Sequence, residues 1–144
     1  MHIIKLDLKH GLASINSAAV EVDEKGILIG SIAKLCSPPT HTNQGRTSYP
    51  IAGKVSVCGQ SSNCVIEIEE RRKFSITFLF DLIEFFESSI LESKVIKACE
   101  KASNSNFMSN HPSNAFLNLR EWGSAVFFYD AKQGDLSLKI KFER

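Results

Sequence analysis

The chain lacks an excess of basic residues. Its 144 residues carry 17 Lys and Arg against 16 Asp and Glu, a formal net charge of +1. Proteins that bind nucleic acid through phosphate contacts usually concentrate Lys and Arg, because neutralising phosphates supplies much of the affinity. The balanced charge therefore predicts a protein that does not bind nucleic acid.

Long hydrophobic runs are also missing. The most apolar stretch, residues 78–86, is interrupted by Asp81 and Glu84, whereas a membrane span needs about 20 apolar residues. Near the N-terminus, Lys5 and Asp7 interrupt the segment in which a secretion signal would need a continuous apolar region. The sequence therefore predicts a cytoplasmic protein that does not bind membranes.

Cysteine is scarce, and the four residues at positions 36, 58, 64 and 99 show no C-x-x-C spacing. The sequence therefore predicts no metal site and no cofactor. Cys58 and Cys64 are expected to flank a hairpin turn, where they could bridge if their Cα atoms lie within about 7 Å. The missing export signal favours free thiols instead. Cys99 lies close to the apolar stripe of a predicted helix and is expected to be buried.

Short catalytic motifs are absent: there is no G-x-S-x-G, no Walker glycine loop and no G-x-G-x-x-G. In so small a chain this counts against catalysis, and the sequence is interpreted as that of a non-enzyme. The alternative is a small enzyme or ligand-binding protein with a pocket between sheet and helices. In it, the loop residues His41 and His111 would exchange protons. Solvent-exposed loop histidines explain the same two residues more simply.

Alternating apolar and polar residues predict strands over much of the chain. Three hairpins follow from the pattern: residues 20–29 turning at Gly26, residues 64–78 turning at 69–73, and residues 125–142 turning at 130–134. The arms of the first hairpin carry Val20, Val22, Ile27 and Ile29. The residues expected to face the core are Ile4, Leu6 and Leu8 near the N-terminus, Cys64, Ile66, Ile68, Phe74, Ile76 and Phe78 in the second hairpin, and Leu136, Leu138, Ile140 and Phe142 in the third.

Helix signals lie between residues 82 and 102. Asp81 and Ser89 each have a Glu three residues on, as at helix starts. The apolar stripe also changes face near Ser88, which predicts two short helices or one kinked helix. The polar stretches 36–50 and 103–114 are expected to be surface loops, and 114–122 a short helix. The fold class is therefore α+β, a single domain over residues 1–144, with the helical segment packed on one face of an antiparallel meander of six to eight strands.

Acidic residues are concentrated in the middle of the chain. Residues 67–92 contain seven acids and three bases. Part of this charge complements helix dipoles, and part is interpreted as a surface that binds a basic partner. The residues assigned to that surface are Glu67, Glu69, Glu70, Glu84 and Glu87. Trp122 could anchor an interface, although burial in the core is the commoner role of a lone Trp.

In these general features, a small α+β chain without motifs and with an acidic patch, the sequence resembles the bacterial immunity proteins. Those proteins bind a cognate toxin, often a nuclease, and block it. The resemblance covers overall character and no specific motif, so no individual residue is transferred. It implies a cytoplasmic, non-catalytic module whose partner is a basic toxin domain and which neutralises that toxin by covering its active site.

Overall fold

A computed structural model of the protein describes residues 1–41, 45–70, 73–80, 85–111, 114–119, 121–130 and 135–143. The strands are β1 (His2–Asp7), β2 (Leu12–Ile15), β3 (Ala18–Ala19), β4 (Glu21–Val22), β5 (Leu28–Ile29), β6 (Thr40–His41), β7 (Thr47–Pro50), β8 (Val55–Val57), β9 (Gln60–Glu70), β10 (Lys73–Phe80), β11 (Met108–His111), β12 (Asn114–Asn118), β13 (Gly123–Asp130) and β14 (Asp135–Phe142). The helices are a 3₁₀ helix (Ser31–Leu35) and α1 (Phe85–Ser103).

One large sheet dominates the fold, so the chain is α+β. Its strand order is β11-β12-β13-β14-β10-β9-β8-β1-β2-β3, and β6 and β7 join it through β9. The β1–β8 pair is parallel, with His2 opposite Val55, while the other pairs in the sheet are antiparallel. The sheet is therefore mixed and larger than the predicted antiparallel meander of six to eight strands.

Two of the predicted hairpins have the expected pairing. In β9 and β10, Phe74 lies opposite Ile68 and Phe78 opposite Cys64. In β13 and β14 the pairing runs from Gly123 opposite Phe142 to Asp130 opposite Asp135. Both hairpins bury one face, which fixes the register because a slip of one residue would expose the whole apolar set.

The first predicted hairpin forms as β4–β5, with Val22 opposite Leu28. In its turn, one carboxylate oxygen of Asp23 accepts hydrogen bonds from the backbone N–H groups of Lys25 and Ile27, as Asp residues commonly do in turns. Leu28 is 4% exposed, whereas Ile27 and Ile29 are 51% and 39% exposed. The hairpin therefore buries Leu28 and leaves the two isoleucines beside it in water.

Segments predicted as loops or helix supply additional strands. The polar stretches contribute β6, β7 and β11, and β12 replaces the helix predicted at 114–122. Strand β12 pairs with β13 from Asn114 opposite Phe128 to Asn118 opposite Ser124. This pairing accompanies the burial of Leu117, which is 1% exposed. Tertiary pairing thus decides the conformation of a sequence with no clear alternation of its own.

Of the two predicted alternatives, one kinked helix or two short helices, the structure has a single helix, α1, which is continuous from Phe85 to Ser103. Val95 and Cys99 lie one turn apart and are both almost fully buried, while the helix contacts β1. It ends where Asn104 takes a left-handed backbone conformation, φ 55°, as helix termini commonly do. Within the described part of the chain, no helix is long and apolar enough to cross a membrane.

Trp122 joins the N-terminal segment to the C-terminal strands. Trp122 stacks on Phe142 at 5.0 Å between ring centroids, and Phe142 stacks on Phe74 at 4.7 Å. The indole N–H of Trp122 also donates to the carbonyl oxygen of Leu8, just after β1. Four strands separate β1 from β13 in the sheet order, so the sheet curls until its two halves meet. Trp122 is 3% exposed, which confirms its expected place in the core.

Candidate protein-binding surface

Two of the predicted partner-binding carboxylates lie on β9 beside basic side chains. The Oε1 atom of Glu67 is 3.3 Å from a guanidinium nitrogen of Arg46. The Oε1 atom of Glu69 is 4.0 Å from the Nζ atom of Lys139. Both carboxylate side chains are 27% exposed. Their negative charge is thus partly compensated within the protein itself.

The other predicted binding residues are outside what the structure describes. Glu84 lies outside the described residues, and so do the side chains of Glu70 and Glu87. The described residues consequently bring together only Glu67 and Glu69 of the five carboxylates.

An open groove of about 480 Å³ lies between the N-terminal strands and the ends of β10 and β14. Its floor is apolar and includes Val20 and Phe142, which are 7% and 4% exposed. Leu12 and Ile29 also line it and are 59% and 39% exposed. Large apolar side chains left in water at the edge of a concave apolar surface are typical of a binding site.

Three carboxylates line the same groove: Glu21, Asp23 and Glu24. No Lys, Arg or His is found among the described residues that line it. Glu21 and Glu24 are exposed, so they form the rim above the apolar floor. We call this surface, with Leu12 and Ile29, the acidic groove. It combines an apolar floor with negative charge, and a basic amphipathic segment has the complementary chemistry.

Local structure explains how these groups come together. Asp23 uses its carboxylate within its own turn, and Gly26 takes φ 78° there. The turn places β4 and β5 with Leu28 inward and Ile29 outward. At the opposite side of the groove, the stacked rings of Phe74 and Phe142 close the floor.

Sequence reasoning missed the acidic groove. The spacing of Glu21, Asp23 and Glu24 looks like an ordinary hairpin turn, and nothing in the local pattern indicates that Ile29 is left exposed. Leu12 follows Gly11 in a segment that showed no clear alternation. The proximity of Phe74 and Phe142 depends on the curl of the whole sheet, which no local pattern predicts.

A second cavity, of about 400 Å³, has a mixed polar lining. Lys9 and Glu121 line it with the end of α1 and with Trp122. Its described lining contains one basic and one acidic side chain, so the cavity favours neither a basic nor an acidic partner. Among the residues that the structure describes, no histidine lines this cavity or the acidic groove.

The structure does not bring His41 and His111 together along the sheet. They lie in β6 and β11, and six strands stand between those two in the strand order. The Nδ1 atom of His41 is 3.1 Å from the Thr47 hydroxyl, and the side chain of His111 lies outside the described residues. The geometry therefore gives no support to a proton-exchanging pair.

The remaining histidines have structural neighbours. His2 contacts the carbonyl oxygen of Ala52 at 3.0 Å and the Asn16 amide at 3.0 Å. His10 lies 2.9 Å from the Asp7 carboxylate, which lowers the pKa of Asp7 through that hydrogen bond. Across the described residues, no group of three or more His, Cys, Asp or Glu side chains could hold a metal ion.

No protein-family model, curated protein or solved structure matches this chain. The chemistry of the described surfaces is therefore the basis for a functional assignment.

The four thiols are free, and their arrangement differs from the expected one. Cys58 occupies the β8–β9 turn, and Cys64 lies four residues beyond Gln60 along β9. Four residues of extended strand span roughly 13 Å, which is too far for a Cys58–Cys64 bridge. Cys99 is 1% exposed, which confirms its predicted burial.

Proposed function

We propose that this protein is a non-catalytic binding module of the bacterial immunity type, which neutralises a basic toxin domain in the cytoplasm by covering its active site. The observation that supports this proposal is the acidic groove: exposed Leu12 and Ile29 beside three carboxylates, with no base among the described lining residues.

The apolar side chains of the groove would supply most of the affinity. Fully burying a Leu or Ile side chain is worth about 1.5–3 kcal/mol, so covering Leu12 and Ile29 gives a partner a substantial gain. Leu12 and Ile29 are 59% and 39% exposed, and this exposed part of each side chain is what a partner could still bury. A partner segment with apolar residues on one side would fill the groove.

The carboxylates would select the partner and speed its approach. Complementary charge raises association rates and excludes partners of like charge more than it adds affinity. Glu21 and Glu24 are exposed beside the floor, where Lys or Arg of a partner could approach them. A toxin domain that handles nucleic acid carries such basic residues around its active site, and binding there would block the substrate.

The carboxylates of β9 contribute less in this proposal. Arg46 and Lys139 already lie beside Glu67 and Glu69. A basic partner would have to compete with these neighbours, and exposed pairs of this kind exchange with little net gain. We assign the first contact to the acidic groove because Leu12 and Ile29 offer apolar area to a partner there, and we treat the β9 carboxylates as a comparison surface.

The test begins with affinity capture from the source cell and with the protein encoded by the adjacent reading frame, since neutralisers are made alongside their targets. Each purified candidate is titrated calorimetrically, and its own activity is assayed at a 1:1 ratio. The proposal expects a basic partner that is inhibited at that ratio, with affinity that falls as salt rises.

Variants locate the surface. The double substitution E21K/E24K should weaken binding by roughly a hundredfold and L12S by about tenfold, because charge reversal and lost apolar burial act at the same place. Asp23 is left intact because it holds the turn. E67K/E69K should change affinity by less than about threefold, and E121K, in the second cavity, is the matched control. Unchanged affinity in E21K/E24K, with an intact circular dichroism spectrum, would refute the assignment of the groove.

A further inference from the structure

Strand β4 is paired on one side only. Within the described part of the chain, β4 and β5 form a separate two-stranded sheet, with Glu21 opposite Ile29 and Val22 opposite Leu28. The six consecutive residues 19–24, which include β4, all line the acidic groove. Side chains alternate between the two faces of a strand, so an unbroken lining of this kind places the edge of β4, rather than one of its faces, beside the groove.

The backbone groups of Val22 point away from β5. The N–H of Asp23 donates to the carbonyl oxygen of Ile27 at 2.9 Å, which makes these two residues a hydrogen-bonded pair. Bonded and non-bonded pairs alternate along an antiparallel ladder, so Val22 and Leu28 form a non-bonded pair. A residue in such a pair directs its N–H and its C=O to the other side of its strand. For Val22, that side borders the acidic groove.

The neighbouring strand pair ends at the same place. Strands β2 and β3 stay together until the N–H of Val20 donates to the carbonyl oxygen of Ala13 at 2.9 Å. The next pair in that register is Val22 with Gly11, but among the described residues no backbone hydrogen bond joins these two. Both line the acidic groove. The groove therefore opens where two strands separate, and Val22 presents a donor and an acceptor to it.

The side chains of β4 determine which sequence can pair with it. Val22 shares a face with the buried Leu28, because residues opposite each other point to the same side. Glu21 shares the outer face with the exposed Ile29. Asp23 lies two residues after Glu21 and so belongs to the same outer face. An added strand would thus have alternate residues opposite two carboxylates, with the residue between them opposite Val22.

The charge of this edge selects the kind of strand that fits. A second copy of the same edge would bring its own carboxylates against Glu21 and Asp23, and like charges directly opposite each other destabilise a strand pair. Charged edges are protected from self-pairing in this way. A segment with Lys or Arg at alternate positions meets opposite charges instead. The aliphatic stems of these residues can cover Leu12 and Ile29 at the groove wall.

We propose that the acidic groove binds its partner as an added β-strand, in which an extended segment of alternating basic and apolar residues hydrogen-bonds to the N–H and C=O of Val22. This inference rests on the acidic groove of the proposed function and adds the conformation and the sequence period of the bound segment. In recognition of this kind, main-chain hydrogen bonds give affinity and alternate side chains give specificity. A helix uses its own N–H groups internally, so it has no backbone groups to offer to Val22.

The probe is a short capped peptide in which Lys and Val alternate, titrated calorimetrically into the full chain at low salt. A peptide with the same residues in two blocks, Lys first and Val second, is the control. The alternating peptide should bind on the order of tenfold more tightly, because only its basic residues all lie on one side of an extended strand.

Backbone methylation tests the hydrogen bonds directly. Two further alternating peptides carry N-methyl groups on every Val or on every Lys. Successive N–H groups of a strand point to opposite sides, so only one of these two sets removes the N–H groups that face β4. One peptide should lose affinity by at least about tenfold while the other stays within about threefold. For antiparallel addition, the methylated Val set is the one that fails.

Matched variants of the protein test the same bonds from the other side. Val22→Pro removes the N–H that faces the groove and keeps the bonds to β5, because that N–H points away from β5. Val22→Ala is the control, since it also shortens the side chain but keeps the N–H. V22P should bind the alternating peptide on the order of tenfold more weakly than V22A. Should V22P lose its circular dichroism spectrum, the methylated peptides decide the question on wild-type protein.

The outcomes distinguish the added strand from the groove itself. Equal affinity for the alternating and block peptides, equal losses from the two methylated peptides, or equal binding by V22P and V22A would overturn strand addition. If E21K/E24K still abolishes peptide binding in that case, the acidic groove remains the binding site. Absence of peptide binding to the wild-type protein, or binding that E21K/E24K leaves unchanged, would overturn the added strand and the groove together.

Discussion

The indole N–H of Trp122 donates a hydrogen bond of 3.1 Å to the carbonyl oxygen of Leu8. The two residues come from opposite halves of the chain and are 3% and 2% exposed. Leu8 follows β1 and Trp122 precedes β13, so this one bond joins the N-terminal strands to the C-terminal hairpin. A buried carbonyl left without a partner is costly, which makes the bond a determinant of how far the sheet curls.

Replacing Trp122 by Phe should therefore destabilise the fold. The ring can still stack on Phe142, but the donor to Leu8 is lost, and the expected decrease in unfolding free energy is about 1–3 kcal/mol. Urea titration followed by circular dichroism measures it. Phe128→Leu, at an outer-face position that is 40% exposed, is the control and should change stability by less than about 0.5 kcal/mol. A W122F protein as stable as the wild type would show that the bond contributes nothing.

Gly11 tests the contact of the N-terminal segment with Trp122 from the N-terminal side. It has φ 70°, and a Cβ atom there would overlap the Trp122 ring. Gly11→Ala should therefore cost about 1–2 kcal/mol for the left-handed backbone and about 1–3 kcal/mol more for overpacking. Gly53→Ala is the matched control, because Gly53 has φ 83° with open space around it and carries the backbone cost alone. Equal losses in the two variants would mean that Trp122 moves aside freely.

The sequence predicted the two hairpins, β9–β10 and β13–β14, in which a short turn joins two strands with clear apolar alternation. The pairing of Phe74 with Ile68 follows from two alternating runs separated by a short charged turn, and the observed register agrees with it. Each run has one apolar face, and a slip of one residue would move one of these faces out of the core. The C-terminal hairpin was predictable for the same reason.

The features that sequence did not predict depend on distant pairing. The parallel contact of His2 with Val55 brings together segments with no turn between them. Residues 114–118 become a strand because β13 offers an open edge to them. The acidic groove depends on the curl of the sheet, because Phe74 and Phe142 line it together with residues 11–13 and 19–24. Charge counted along the sequence pointed to Glu67 and Glu69, but it could not show that Arg46 and Lys139 lie beside them.

Ser75 offers a test of packing on the outer face of β10. It is fully buried, and its hydroxyl has no hydrogen-bond partner among the described residues. Removing a polar group that has no partner relieves a desolvation cost and breaks no bond. Ser75→Ala should therefore raise the unfolding free energy by up to about 1 kcal/mol, as measured by urea titration. Thr77→Ala on the same face is the comparison, and a loss above about 1 kcal/mol in Ser75→Ala would show that the hydroxyl has a partner.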